Sequence, residues 1–191
     1  MIDIQTCDWP GNDPLMIRYH DEEWGVPVHD DMKLFEFLVL DAFQAGLSWR
    51  TVLNKRENFR KAFDEYDVNK IASYGEQEIQ RLLSDADIIR NKAKVNATIE
   101  NAKRFLEVQK EFGSFDTYIW QFTNGKTVYN RHKSLKELPA STSLSDAMST
   151  DLRKRGFKFV GTTICYAFMQ AAGMVNDHLV HCFRYSELKG K

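Results

Sequence analysis

The sequence predicts an all-α protein, because apolar residues recur at helical spacing along most of the chain and helix start and stop signals separate these segments. No run of alternating polar and apolar residues is long enough to indicate a sheet. With 191 residues, 43% of them hydrophobic, the chain can bury a sizeable core. We therefore expect one domain over residues 1–191, built as two helical lobes.

Capping residues mark the helices of the first half. Asp13-Pro14 joins a capping carboxylate to a proline at the first helical position, so a helix should run from there to about Trp24. A second helix should end before Gly46. The other predicted helix starts here are Asp30 or Asp31, Ser48, Asp67 and Glu76.

A long helix from about Asn91 to Phe112 dominates the second half. Four apolar residues share one face of it: Val95, Ile99, Ala102 and Leu106. Another helix should begin at Ser143 or Ser145 and end in basic residues before Gly156. An apolar helix is predicted over about residues 162–172, and a short one should begin near Asn176.

The overall composition limits the function classes. A net charge of −1 argues against a general nucleic-acid coat protein but leaves room for a local basic patch. No apolar run is long enough to span a bilayer, and residues 1–6 lack the pattern of a secretory signal. We therefore expect a cytoplasmic protein without membrane contact, and a monomer, since no feature points to an oligomer.

Cysteine and histidine spacing suggests a metal site that joins the two ends of the chain. Cys7 and His20 lie near the start, and His178 and Cys182 lie four positions apart near the end. On a helix, that spacing places both side chains on one face. Two thiolates with two imidazoles form a closed tetrahedral set suited to one structural zinc ion.

Other interpretations of these residues stay open at this point. Cys7 and Cys182 are also compatible with small buried side chains, with both histidines on the surface. His181 is an alternative ligand because it also lies near Cys182. Cys165 lies in an apolar helical segment and is expected to pack in the core.

Asp41 is the one charged residue in the segment FLVLDAFQAGLSW, residues 37–49. Burying a carboxylate among leucine and phenylalanine is costly unless it has a partner or a chemical task. The alternative is that Asp41 faces solvent or caps a neighbouring helix.

Downstream of Asp41, the sequence combines a turn with apolar and aromatic residues. Gly46 permits a tight backbone, and Leu47 at its tip could enter a base stack as a wedge. Trp49 offers a flat face for a base. Tyr19, next to His20, could face the same centre. Core packing is the alternative for each aromatic residue.

A predicted helix–turn–helix carries a basic shoulder. The tight turn within residues 82–94 presents free backbone N–H groups, and Arg90, Lys92 and Lys94 add positive charge. This combination suits a DNA phosphate. The alternative is an ordinary solvated helix start.

Taken together, these segments resemble the DNA-3-methyladenine glycosylase I family of the helix-hairpin-helix glycosylase superfamily. The resemblance runs from Cys7 to Cys182. Its most specific blocks are residues 19–27, 44–49, 154–166 and 175–178.

The resemblance implies a role for each candidate residue. It implies that Cys7, His20, His178 and Cys182 bind a structural zinc ion, with His178 rather than His181 as ligand. It assigns Tyr19 and Trp49 to the base pocket, Asp41 to recognition of the flipped base, and Gly46 and Leu47 to the turn that probes the DNA. Residues 87–94 match the family's DNA-binding hairpin.

Three positions depart from the family pattern. Asp41 stands where the family usually has glutamate, so its carboxylate is one methylene shorter. Met16 stands where the family often has a second pocket tyrosine. Asp87 replaces a glycine often found in the hairpin.

The resemblance implies a monofunctional enzyme that acts on double-stranded DNA containing an alkylated purine. It would flip N3-methyladenine out of the duplex, cleave the N-glycosidic bond with water and leave an abasic site. The rival interpretations are a non-catalytic reader of damaged DNA and a zinc-stabilised helical module that binds protein or RNA. A catalytic zinc hydrolase is disfavoured because four protein ligands leave no open position.

Overall fold

The computed structural model describes residues 5–189. Residues 1–4 and 190–191 lie outside the described part, and the prediction about a secretory signal depends partly on residues 1–4. Within these bounds the chain is mostly helical, as predicted. The helices of the first half are α1 Pro14–Glu22, α2 Asp31–Gln44, α3 Trp49–Leu53, α4 Arg56–Ala62, α5 Val68–Ala72 and α6 Glu76–Ser84. The helices of the second half are α7 Lys92–Phe112, α8 Phe115–Ile119, α9 Ser143–Lys154, α10 Thr162–Ala171 and α11 Phe183–Lys189.

Side-chain caps define several of these helix starts. Asp13 accepts hydrogen bonds from the N–H groups of Leu15 and Met16, which are otherwise unpaired in the first turn of α1. Ser48 caps α3 and Asn91 caps α7 in the same way. The predicted starts of these helices are therefore confirmed.

Helix α2 runs through the interior of the protein. Its residues from Leu34 to Phe43 are buried without interruption. The reason is that α2 packs against α7 and α8 as well as against α3 and α10. A helix covered on several sides needs an apolar surface all round, and this explains why its sequence lacks a polar face.

The expected short helix near Asn176 is wrong. Val175–Asn176 instead forms a two-residue strand, β2, parallel to β1 at Val128–Tyr129. The backbone of β1 and the next residue provides the hydrogen bonds: the N–H of Val128 donates to the carbonyl of Met174, and that of Asn130 donates to the carbonyl of Asn176. The last helix begins only at Phe183.

His178 and Cys182 therefore lie in the loop between β2 and α11, and the helical-face argument for their proximity fails. The loop is fixed by the Asn176 side chain, whose oxygen accepts a hydrogen bond from the N–H of His178. The prediction also missed α4 and α8. None of the described helices combines the length and the apolar character that a bilayer span requires.

Candidate active site and metal-ligand cluster

Four buried side chains from the two ends of the described chain form one cluster. Cys7 precedes α1, His20 lies in α1, and His178 and Cys182 lie in the loop after β2. One potential ligand atom from each residue lies within 4.8 Å of all the others. The exposed His181 is not part of this cluster.

The spacing of these atoms fits a tetrahedral metal site. Nε2 of His20 and Nδ1 of His178 are 3.1 Å apart, and Sγ of Cys182 lies 3.6 Å from each of them. Sγ of Cys7 lies 3.8 Å from Nδ1 of His178. Tetrahedral zinc with ordinary bond lengths places two nitrogens about 3.3 Å apart and a nitrogen and a sulfur about 3.6 Å apart. The donor set and its dimensions therefore suit this ion.

Neighbouring groups orient both imidazoles toward the centre of the cluster. Nδ1 of His20 pairs with the Asp21 carboxylate at 2.6 Å, and Nε2 of His178 donates to the carbonyl of Trp24 at 2.8 Å. Such partners fix which ring nitrogen remains free to bind a metal. Hydrogen bonds from Cys7, His178 and His20 hold the pKa of the Cys182 thiol well below its ordinary value. One ligand is thus held in the form that binds metal.

A cavity of about 350 Å³ lies beside this cluster. This volume falls within the roughly 300–1,000 Å³ of typical small-molecule sites. Its wall is mainly aromatic and apolar with a few polar side chains: Trp9, Tyr19, Trp24, Asp41, Gln44, Trp49, Leu135, Leu138, Ala167 and Gln170. The cavity can accept a flat, largely apolar ligand with a small number of polar groups.

Asp41 lies in this cavity on the last turn of α2. Its side chain is only 2% exposed, and Oδ2 has no hydrogen-bond partner among the described residues. Burial raises the pKa of Asp41 well above its ordinary value. The solvent-exposed and helix-capping alternatives for Asp41 are therefore excluded.

Tyr19 and Trp49 form an aromatic wall next to Asp41. Their ring centroids lie 5.0 Å apart at an interplanar angle of 47°. Burial, followed by the nearby Asp41 carboxylate, raises the pKa of Tyr19 well above its ordinary value, so its hydroxyl stays neutral. Three of the four residues that the sequence singled out for the pocket, Asp41, Tyr19 and Trp49, thus share one cavity.

Met16 does not contribute to the lining of this cavity. It is buried in a separate apolar cluster with Tyr19, Trp24 and Leu53. Met16 therefore lies behind the wall and supports Tyr19 rather than facing the cavity, and its predicted place in the pocket is corrected.

Sequence reasoning missed Trp9, which also lines the cavity. Its ring lies 5.4 Å from that of His20 and 6.3 Å from that of Tyr19, so it connects the metal-ligand cluster to the aromatic wall. Its Nε1 is buried without a hydrogen-bond partner among the described residues. The available signal was its position two residues after Cys7.

The turn after α2 projects an apolar side chain outward. Gly46 has a φ of +79°, and a side chain there would meet no other atom, so the backbone conformation alone favours glycine. Leu47 follows and is 41% exposed. Ser48 then caps α3, which begins at Trp49 of the cavity wall. The exposed turn is therefore directly followed in the sequence by a residue of the cavity wall.

Helices α6 and α7 form the predicted helix–turn–helix. Arg90 and Lys92 are exposed at the end of its turn. Lys55, the residue before α4, donates hydrogen bonds to the carbonyls of Ala86 and Asp87 in this turn. The described turn contains no residue with a positive φ, so Asp87 does not need the conformational freedom of glycine.

Lys94 is not part of the exposed basic shoulder. It is only 6% exposed, and its ammonium donates to the carbonyls of Phe43 at 2.8 Å and Ala45 at 2.6 Å. These carbonyls at the end of α2 lack helical partners, and a cation there is favourable. Lys94 therefore ties α7 to the end of α2 and to the turn at Gly46, which corrects its predicted contact with phosphate.

Comparison with known proteins gives one consistent result. The model of the methyladenine glycosylase family matches residues 9–185. The chain is 50% identical over 182 residues to DNA-3-methyladenine glycosylase 1 of Escherichia coli, which covers 95% of this chain and 97% of that protein.

Solved structures agree with the sequence match. A crystal structure of 3-methyladenine DNA glycosylase I superposes with a TM-score of 0.91 at 51% identity, covering 94% of this chain and 98% of that one. A Staphylococcus aureus 3-methyladenine DNA glycosylase I, solved to explain 3-methyladenine recognition, superposes with a TM-score of 0.91 at 32% identity, covering 94% and 96%. The chain belongs to the methyladenine glycosylase family.

Proposed function

We propose that this chain is a DNA-repair glycosylase that hydrolyses the N-glycosidic bond of N3-methyladenine in double-stranded DNA and leaves an abasic site. The observation that carries the proposal is the single unpaired carboxylate of Asp41 inside an aromatic cavity. Family membership supports the same activity, since relatives named for 3-methyladenine match nearly the whole chain.

The cavity requires that the nucleotide leave the duplex before it reacts. A base in a stacked duplex is inaccessible, so the enzyme would rotate it out of the helix. The exposed Leu47 would occupy the gap left in the stack, and Gly46 would let the backbone approach the strand closely. Arg90 and Lys92 would hold a phosphate of the same duplex.

Positive charge on the alkylated purine provides the basis for selection. Tyr19 and Trp49 would face the cationic ring, and each contact of this kind contributes roughly 0.5–2 kcal/mol. Neutral adenine would gain less from the same wall. The enzyme therefore discriminates by stronger binding of the charged base, including in the transition state.

Asp41 would supply the negative partner of that base. A carboxylate in an apolar cavity lacks other compensation, so a cationic ligand is favoured there by a large electrostatic margin. A hydrogen-bonded cation would also lower the raised pKa of Asp41 and stabilise its ionised form. The shorter side chain, compared with glutamate, would contact the base from a longer distance or through a water molecule.

Water would be the nucleophile. Methylation at N3 already makes the purine a good leaving group, so binding and orientation provide most of the catalysis. The residues that line the described cavity include no lysine, which fits an enzyme without a Schiff-base intermediate or strand cleavage.

Zinc would have a structural role in this enzyme. Cys7, His20, His178 and Cys182 would hold it, and the ion would supply a cross-link between the two ends of the chain. These residues flank the aromatic wall through Trp9 and Tyr19, so their fixed positions keep the wall in place.

Product analysis on methylated duplex DNA tests the proposal. Incubation with the protein should release free N3-methyladenine and leave sites that alkali, but not the protein, converts to strand breaks. Tight binding to lesion-containing DNA without released base would instead identify a non-catalytic reader of damage. Strand breaks without alkali would contradict the monofunctional mechanism.

A further inference from the structure

Gln170 is a polar residue of the cavity wall whose side-chain orientation is fixed from behind. It lies in α10, is half-buried, and lines the same cavity as Asp41. Its Nε2 donates a hydrogen bond to Oδ2 of Asp177 at 2.7 Å. A carboxylate offers only acceptor oxygens, so the amide must direct its NH₂ end toward Asp177. Oε1 is then the end that remains for a ligand.

Asp177 is itself held in one orientation. It is only 1% exposed. Its Oδ2 also accepts a hydrogen bond from the Tyr166 hydroxyl at 2.5 Å, and its Oδ1 accepts one from the Asn130 amide at 2.6 Å. A buried network that satisfies its members is rigid. Rotating the Gln170 amide by half a turn would place two acceptors against each other, so this network fixes the position of Oε1.

The backbone of Gln170 is tied to another part of the cavity wall. Its carbonyl accepts a hydrogen bond at 3.0 Å from the N–H of Gly25, the residue after Trp24. Trp24 lines the cavity, as does Ala167, which lies one turn before Gln170 in α10. The small Ala167 side chain leaves space beside the Gln170 amide. A ligand in the cavity can therefore approach Oε1.

The cavity offers two acceptor groups that lack a partner. Oε1 of Gln170 makes no hydrogen bond within residues 5–189, and the same holds for Oδ2 of Asp41. Asp41 belongs to α2 and Gln170 to α10, and these two helices pack against each other. A group with two N–H donors, such as an amino group on a purine ring, complements this pair of acceptors.

Gln44 also lines the cavity but lacks such an anchor. It is half-buried, and its amide makes no hydrogen bond within the described part of the chain. Nothing in the structure therefore determines which end of the Gln44 amide faces a ligand. A freely rotating amide can meet a donor or an acceptor equally well, so Gln44 cannot distinguish them.

Adenine and guanine differ at the group that two acceptors would read. Adenine carries an amino group on C6, whereas guanine carries a carbonyl there. In N3-methyladenine the amino group shares the positive charge of the ring, which makes its N–H groups stronger donors. A guanine carbonyl would meet Oε1 acceptor to acceptor and would leave both oxygens unpaired. Sites that leave buried polar groups unpaired discriminate strongly against the wrong ligand.

We propose that Gln170 determines the specificity of this protein for adenine over guanine among N3-methylated purines. Its Oε1 accepts a hydrogen bond from the N6 amino group of the flipped base. Asp177 is the positioning residue that keeps Oε1 turned toward the base. The inference rests on the proposed function for its choice of a methylated purine, and it assigns the selection between the two purines to a named atom.

Competitive excision by a Gln170→Met variant of the full chain tests this role. Methionine has a similar length but no acceptor oxygen, and Asp177 keeps its bonds from Tyr166 and Asn130. Duplex DNA that carries both N3-methyladenine and N3-methylguanine is incubated with the protein, and the two free bases are separated by chromatography. The initial release ratio of N3-methyladenine to N3-methylguanine should fall about five- to tenfold in the variant. Because both lesions compete for the same molecules, a smaller folded fraction does not change this ratio.

Gln109→Met is the matched control. The Gln109 amide donates to Oδ2 of Asp31, also at 2.7 Å, but Gln109 lies in α7 and does not line the cavity. The substitution therefore breaks the same kind of bond at another place. Its release ratio should equal that of wild type. An equal fall in Gln109→Met would overturn the inference, because the effect would not depend on the cavity.

Binding of the free bases separates this inference from the catalytic proposal. Trp9, Trp24 and Trp49 line the cavity, so a titration followed by tryptophan fluorescence reports binding without any bond cleavage. Wild type should prefer N3-methyladenine over N3-methylguanine, and Gln170→Met should lose most of this preference. A protein that releases no base but shows this loss would contradict the enzymatic function and support the role of Gln170. Release and binding ratios equal to wild type in Gln170→Met would overturn that role, even if the protein releases N3-methyladenine.

Discussion

Asp41 and Trp49 face the same cavity, and each has a buried polar atom without a hydrogen-bond partner within residues 5–189: Oδ2 of the carboxylate and Nε1 of the indole. An unsatisfied buried group costs about 1–3 kcal/mol. With Nε1 of Trp9, three such atoms belong to residues of one cavity wall, and they are easiest to explain if a polar ligand provides the missing partners. The stability of the protein should therefore improve when the carboxylate charge is removed.

Asp41→Asn should raise the melting temperature, and the gain should grow with pH. Burial raises the pKa of Asp41 in the folded state, so the folded protein favours the neutral carboxyl. The contribution of this preference to stability is complete below the ordinary pKa of 3.8 and is lost as the pH rises through the raised value. Asparagine does not titrate. Each kcal/mol recovered adds about 2–4 °C for a protein of this size.

Thermal unfolding of both proteins across a pH series measures this effect. Asp177 is also a buried carboxylate, but Tyr166 and Gln170 donate hydrogen bonds to it, so Asp177→Asn cannot serve as a control for an unpaired carboxylate. A difference in melting temperature that stays constant with pH would show that Asp41 has an ordinary pKa.

Cys7→Ser should lose bound zinc and thermal stability together. Structural zinc contributes several kcal/mol to folding, so the melting temperature should fall by about 10 °C or more. Metal content by elemental analysis and thermal unfolding provide the two readouts. Cys165→Ala is the matched control, since Cys165 is buried outside the cluster, and it should retain one zinc ion per chain. Wild-type protein purified without any zinc would count against the site.

Lys92→Ala and Lys94→Met should have opposite profiles. Lys92 is exposed, so its loss should weaken duplex binding and flatten the salt slope by about 0.9. Lys94→Met leaves the carbonyls of Phe43 and Ala45 without their donor and should reduce the free energy of unfolding by about 1–3 kcal/mol, with the salt slope unchanged. A flatter slope in Lys94→Met would mean that Lys94 contacts phosphate after all.

Local signals in the sequence were sufficient for most helices. Asp13 and Ser48 cap helices where their side chains predicted it, because a cap depends only on nearby backbone. The segment near Asn176 could not be predicted, since β2 depends on Val128, 47 residues away in its pairing partner β1.

Side-chain roles required the tertiary structure. The sequence left open whether Asp41 was buried, because the answer depends on how α7 and α10 cover α2. A lysine on a helix is usually exposed, so the sequence predicts Lys94 among the surface cations. Only the fold brings the unpaired carbonyls of Phe43 and Ala45 within its reach.

The central claim is that the Asp41 carboxylate holds a cationic base, and single-turnover excision at saturating protein tests it most directly. Release of N3-methyladenine from methylated duplex DNA should be on the order of 10²-fold slower in Asp41→Asn than in wild type. Asp41→Glu, which keeps the charge, should retain most of the rate. Equal rates in wild type and Asp41→Asn would contradict the account.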